Sequence, residues 1–203
     1  MVAAPLYHEE IFLIARDDVE NLRDLNQLPQ LVVSLGAEKS GNRRVALQLL
    51  EYFEFDLGRI REPRGGFRDF HAAGLDLAIV VTRGSNRHVQ ALLKSSGVGL
   101  LPIPRRDVET LVERHPFLRS HELTNQVVPG AGLPEENGIS ALRIPTVLTV
   151  RPSAPPVLVQ AVLDMLHGDV GFAKEHGLLS RDAAAGWGGW EMHETAERFL
   201  ETP

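Results

Sequence analysis

Gly36 and Gly41 bound the loop "GAEKSG", and the glycine spacing Gly-x4-Gly is that of a phosphate-binding P-loop. The pair that should follow is Lys-Ser/Thr, but here it is Asn42-Arg43. Without that lysine and a magnesium-binding hydroxyl, a nucleoside triphosphate has little to hold it. A simpler property survives. Ser40, Gly41 and Asn42 stand where an apolar run gives way to a helical pattern, so they offer backbone N–H groups and the positive end of a helix dipole. A carboxylate or a single phosphate would suit that position, with the Arg43 charge next to it. The competing reading is that Ser40 or Asn42 only caps the helix.

Other chemistries are less well supplied. "HETAE", His193 to Glu197, has the start of a zinc-protease HExxH but lacks the second histidine. There is no G-x-S-x-G nucleophile elbow, and the chain has no cysteine, which removes disulfides, thiolate catalysis and Cys-based metal sites. His88 is the nearest acid–base candidate, and a surface helix position explains it as well. Trp187 and Trp190 bracket two glycines and suit either a ligand platform or the packing of a C-terminal arm. No residue set calls for a cofactor or a metal.

Composition sets wider bounds. The 203 residues carry 21 Lys+Arg against 27 Asp+Glu, a net charge of -6, which argues against a protein that grips nucleic acid backbone. Short basic clusters such as Arg59, Arg61 and Arg64 read as solvated surface. No apolar run approaches the ~20 residues of a membrane span. "MVAAPLYHEE" has neither the charged start nor the apolar stretch of a signal peptide. The expectation is a cytoplasmic protein, or a chain that begins after its targeting segment.

The elements that must position the loop alternate between strand and helix. Strands are expected at Glu10–Arg16, Leu31–Leu35, Leu75–Thr82, Val98–Pro104 and Pro145–Arg151, and helices at Ser40–Phe53, Asn86–Ser96, Arg106–His115 and Pro155–Gly168. A short helix is expected at Phe67–Ala73, closed by Gly74. "LDLAIVVT" is apolar almost throughout, as in a strand buried on both faces. The class is therefore α/β with mostly parallel sheets. Thr82 ends that apolar strand at the carboxyl edge of the sheet, where ligands of such folds sit and where the Gly36–Gly41 loop also arrives. Pro116–Ala141 is too long and irregular for an ordinary connection, so it is read as a crossover or a functional loop.

The order of motifs resembles the solute-binding receptors of the TAXI family of TRAP transporters. Tyr7 and Glu9 match a Tyr-x-Glu ahead of a strand, and Asp24-Leu25, Gly36 and Ser40-Gly41-Asn42 match a loop that ends Ser-Gly-Thr. Gly74 to Ala78, Leu100 to Ile103, and His193 to Ala196 with Phe199-Leu200 follow in the same order over nearly the whole chain. The resemblance implies a two-lobed α/β fold of the type II periplasmic-binding-protein kind with one lobe incomplete. Residues 18–122 would form one lobe, and 1–17 with 123–203 the other, each with its own sheet.

It also implies non-catalytic binding of a small anionic or amphiphilic solute, an amino acid or organic acid, in an extracytoplasmic setting. A membrane transporter subunit is a partner of such receptors, and nucleic acid is not. The candidate ligand-binding set is Ser40, Gly41, Asn42, Arg43, Thr82 and Tyr7. Asn42 stands where the family has threonine, and the glycine-rich turn expected ahead of Tyr7 is absent, so binding by this chain alone is expected to be weak. An effector-sensing regulatory domain of the same fold, or a homologue that has lost solute binding, are the alternatives.

Overall fold

Val2–Arg16 forms a single fifteen-residue strand, β1, with buried residues at both ends and a half-buried middle. Its apolar content comes in two runs, Val2 to Ala4 and Ile11 to Ala15, separated by Tyr7, His8, Glu9 and Glu10. The computed structural model describes residues 1–133, 138–185 and 190–201. In it β1 is followed by α1 (Leu22–Asn26), β2 (Leu31–Ser34), α2 (Gly41–Tyr52), β3 (Ile60–Arg61), β4 (Leu77–Thr82), α3 (Arg87–Leu93), β5 (Val98–Leu100) and α4 (Arg105–Arg114). Then come β6 (Arg119–Leu123), β7 (Ile139–Thr149), α5 (Pro156–His167), α6 (Val170–Glu175), α7 (Arg181–Ala185) and α8 (Glu194–Glu201). The fold is mixed α/β, a seven-stranded sheet flanked by helices.

The strands lie on one hydrogen-bonded path, β3-β2-β4-β1-β7-β6, with β5 also paired to β1. The separate sheets expected for two lobes are not present among the described residues. The sheet holds both parallel and antiparallel pairings. β2 runs parallel to β3 and β4, but β1 runs antiparallel to β4, with Glu10 opposite Thr82 and Ala15 opposite Leu77, and antiparallel to β5. Alternation of strand and helix does not reveal this, because direction depends on which strands become neighbours.

The chain divides into two compact units, one of residues 1–8, 112–119 and 144–203, the other of 9–111 and 120–143. The divisions read from the sequence, at 17/18 and 122/123, differ from these. Two of the observed ones fall inside α4 and β6, and two inside β1 and β7, strands longer than expected that each contain a proline, Pro5 and Pro145. The sequence reading opened those strands late. Proline supplies no ladder N–H, and it is tolerated where a strand needs no donor. β6 was also missed, because "RSHEL" has a single apolar residue.

In the second unit Leu77 to Val80 are all at most 5% exposed, so β4 is covered on both faces as its apolar run implied. Phe12 and Ile14 of β1 join Ala78 and Val80, Val89 of α3 and Phe70 in one core cluster. In the first unit Ala3 and Ala4 of β1 pack with Val159 and Leu163 of α5 and Ala196 of α8. Burying each large apolar side chain contributes roughly 1.5–3 kcal/mol.

One acid fastens the strand ends of the second unit. Asp76, 9% exposed, accepts the Val32 N–H through Oδ2 (2.9 Å) and faces Arg16 Nη1 through Oδ1 (3.2 Å), while its own N–H donates to the Val32 carbonyl (2.9 Å). β1, β2 and β4 thus meet at one carboxylate. Replacing Asp76 by alanine leaves a part-buried N–H and a guanidinium without this partner, and is expected to cost about 1–3 kcal/mol. Urea unfolding will show this as a lower midpoint with an unchanged slope, and Asp76→Asn, which keeps an acceptor for Val32, will lose less.

Candidate functional site

The β2–α2 loop is shaped by two left-handed residues, Gly36 (φ 92°) and Lys39 (φ 62°). Ser40 is the N-cap of α2, its Oγ accepting the Arg43 N–H at 3.1 Å. The cap reading of Ser40 therefore describes its side chain. The Ser40 N–H donates to the Ala37 carbonyl (3.1 Å) and the Arg44 N–H to the Ser40 carbonyl (3.2 Å). The N–H groups of Gly41 and Asn42 have no partner among the described residues.

The Asn42 amide is taken up by backbone groups. Nδ2 donates to the carbonyls of Leu35 (2.7 Å) and Ile79 (2.9 Å), and Oδ1 accepts the Val81 N–H at 2.5 Å. One side chain thus ties the start of α2 to the end of β2 and to β4. A Cβ on Gly36 would lie 2.7 Å from Asn42 Nδ2, so that glycine is also what lets the amide in. Arg43 is held in a bidentate pair with Glu62, Nη2 donating to Oε1 at 2.6 Å and Nη1 to Oε2. A cavity of about 280 Å³ opens beside the loop, walled by Gly36, Ala37, Pro63 and Gly65, and the charged side chain on its wall is the acid Glu62. That wall suits an anion poorly.

Thr82, at the end of β4, is one residue past the N–H that Asn42 holds, so the loop and Thr82 share a strand end. Its Oγ1 accepts from Asn86 Nδ2 (3.0 Å), and Asn86 Oδ1 caps α3 by accepting the N–H of His88 (2.9 Å) and of Val89 (3.3 Å). His88 takes part here through its backbone. Tyr7 lies in β1 within the first unit. Trp187 lies outside the described residues. His193 of "HETAE" is 6% exposed and serves α8: Nδ1 accepts the Thr195 N–H (3.2 Å), leaving Nε2–H to donate to the Ala154 carbonyl at 3.3 Å.

The sequence reading missed the polar residues that the sheet lines up beyond Thr82. Glu10 of β1 stands opposite Thr82, and next along the strand order come β7 with Arg143 and β6 with His121. Glu10 Oε2 accepts the Gly84 N–H at 2.7 Å. Gly84 is packed so tightly that a Cβ there would sit 2.1 Å from the Val127 carbonyl oxygen.

Burial pushes the Glu10 carboxyl above its usual range, against the pull of the Gly84 hydrogen bond and the Arg143 charge. Burial, and then Arg143, pushes the His121 imidazole below its usual value. Both groups are thus driven toward their neutral forms beside the Arg143 guanidinium. Arg143 Nε and His121 Nε2 are buried and have no hydrogen-bond partner among the described residues. The only sequence signal for this row was charge inside strand patterns, at "HEEIF" and "ALRIP".

No family model matches the sequence, and no curated protein matches it. Among solved structures the chain is similar to a mutant of full-length BenM, with 13% identity and a TM-score of 0.36 over 83% of this chain and 47% of that one. The chain spans about half the length of that neighbour.

Because Asn42 makes three hydrogen bonds to strand backbone, Asn42→Ala is expected to cost about 2–4 kcal/mol of stability in chemical unfolding. Asn42→Asp will be no milder, since it can no longer donate to Leu35 and Ile79. A residue that served a ligand alone would leave the unfolding midpoint of the free protein unchanged.

Proposed function

We propose that this chain is a non-catalytic binding domain for a small carboxylate-bearing solute, of the effector-sensing kind, with Arg143 and His121 as the groups that take the carboxylate. The observation that carries the reading is the pair of buried, unpartnered nitrogens on the Glu10–Arg143–His121 row. Buried polar atoms without partners are rare, and each calls for an explanation such as a bound water or ligand. An anion accepting from Arg143 Nε supplies the missing partner, and the neutral-leaning Glu10 opposes it less than a fully ionised carboxylate would.

The groups a mechanism would use as base or nucleophile are held as structural partners, Glu10 by Gly84 and Thr82 by Asn86. This supports binding over catalysis. The transport-receptor form of the reading needs the third loop residue at the ligand, and the Asn42 amide is committed to Leu35, Ile79 and Val81. That favours the sensing form.

Isothermal titration with amino acids and dicarboxylates tests the reading. Saturable binding by at least one of them is expected, weakened about tenfold or more in Arg143→Gln. No saturable heat from the panel at about 1 mM would sink it. The pH dependence has a definite sign. His121 has a lowered pKa in the free protein, and a bound carboxylate raises it, so binding takes up a proton. Affinity will therefore rise as the pH falls from the ordinary histidine range toward the lowered value, and His121→Gln will flatten that slope. The same lowered pKa means that, without ligand, the stability contributed by neutral His121 is present above its unfolded pKa and lost as the pH falls through the folded one.

A further inference from the structure

The described residues contain five buried side-chain atoms without a hydrogen-bond partner. Two are on the strand row. The other three, Arg181 Nε, Thr195 Oγ1 and His167 Nε2, belong to the first unit and gather round Arg181. Arg181 and Thr195 line a cavity of about 540 Å³, within the size range of small-molecule sites. Its apolar wall is made by Pro156 and Val157 of α5 and Phe199 of α8, and Arg198 stands at its side, 3.6 Å from Glu194. Arg181 also walls a second cavity, of about 310 Å³, shared with His167.

Arg181 is held in place from one side. Its Nη2 donates to the Phe199 carbonyl, and its guanidinium carbon lies 4.4 Å from the centre of the Phe199 ring. Those contacts fix the plane of the guanidinium and leave Nε–H without a partner. Thr195 is only 8% exposed, and its backbone N–H is taken by His193, but its hydroxyl has none. A hydroxyl and a guanidinium N–H, both desolvated and unpaired and both belonging to residues that line one cavity, are two donors without acceptors just behind its surface. Two donors fit the two oxygens of a carboxylate, and the apolar wall fits a hydrocarbon body better than a phosphate.

We propose that this cavity binds a small amphiphilic carboxylate, with Arg181 Nε–H and the Thr195 hydroxyl on the carboxylate and Pro156, Val157 and Phe199 against the apolar body. The site is separate from the Arg143 row, and the inference does not rest on it. The preorganised guanidinium loses little freedom when the ligand arrives. The unpaired Thr195 hydroxyl is a stability cost that the ligand removes.

The test is a proton–nitrogen correlation titration of the full chain with sodium hexanoate, with sodium acetate at matched ionic strength as the comparison. Hexanoate is expected to shift the Arg181 Nε–H signal and the Thr195 and Ala196 amides saturably, with acetate at least about tenfold weaker for want of an apolar body. Thr195→Val should weaken hexanoate about tenfold while raising the thermal midpoint of the free protein, because a buried unpaired hydroxyl is gone. That opposed pair of effects separates a ligand role from a packing role, and it does not require the Arg181→Gln chain to fold. The proposal is overturned if Arg181 Nε–H does not move by about 50 mM hexanoate, if acetate matches hexanoate, or if Thr195→Val leaves hexanoate affinity unchanged.

Discussion

β1 has to satisfy neighbours on both edges along fifteen residues, and its backbone is the piece the rest of the structure is hung from. Near its start the Val2 N–H donates to Glu191 and its carbonyl accepts from His193, and the Leu6 carbonyl accepts from Leu179. From Glu10 onward it is laddered to β4, and at Ile14 to Arg16 to β5. A strand so used must be long, and apolar where it enters each core. The sequence meets that with two apolar runs and places its charged residues, Glu9 and Glu10, between them. A slip of one residue would turn every side chain to the opposite face of the sheet. Register is held at one end by Asp76, which joins the strand ends around Arg16 and Val32.

The Glu10–Arg143–His121 row follows from the same constraint. Because β1 is central and β7 and β6 follow it in order, Arg143 of β7 comes close enough to act on both Glu10 of β1 and His121 of β6. None of Glu10, His121 and Arg143 is close in sequence to another. Their pKa directions come from burial and from Arg143, both products of assembly. The Gly36 to Arg43 loop, the candidate site of the sequence, is a joint in the fold: Ser40 caps, Asn42 staples and Arg43 pairs with Glu62. Its polar residues were noticed for the right chemical reason, since such groups seek partners at a helix start. The partners are backbone groups for Ser40 and Asn42 and the Glu62 carboxylate for Arg43.

The unpartnered buried atoms divide cleanly. One set lies on the strand row of the second unit, the other round Arg181 in the first, and each includes an arginine Nε and a neighbouring histidine Nε2 whose pKa is lowered by burial and by that arginine. A buried N–H left without a hydrogen-bond partner costs stability, and here that cost falls on one guanidinium nitrogen in each unit.

Sequence alone determined the local elements. The continuous apolar run of Leu75 to Thr82 required a strand covered on both faces, Pro156 opened α5 at the position where proline fits, and Gly74 (φ 60°) ended its turn. These are properties of a few adjacent residues, and spacing reports them directly. Tertiary structure decided which strands became neighbours, that β1 runs antiparallel to β4, where the chain divides, and which polar side chains kept a free donor. Those outcomes depend on pairings across 39 residues for Asn42 and Val81 and 74 for Glu10 and Gly84. A periodicity read over a window of about 18 residues cannot see them.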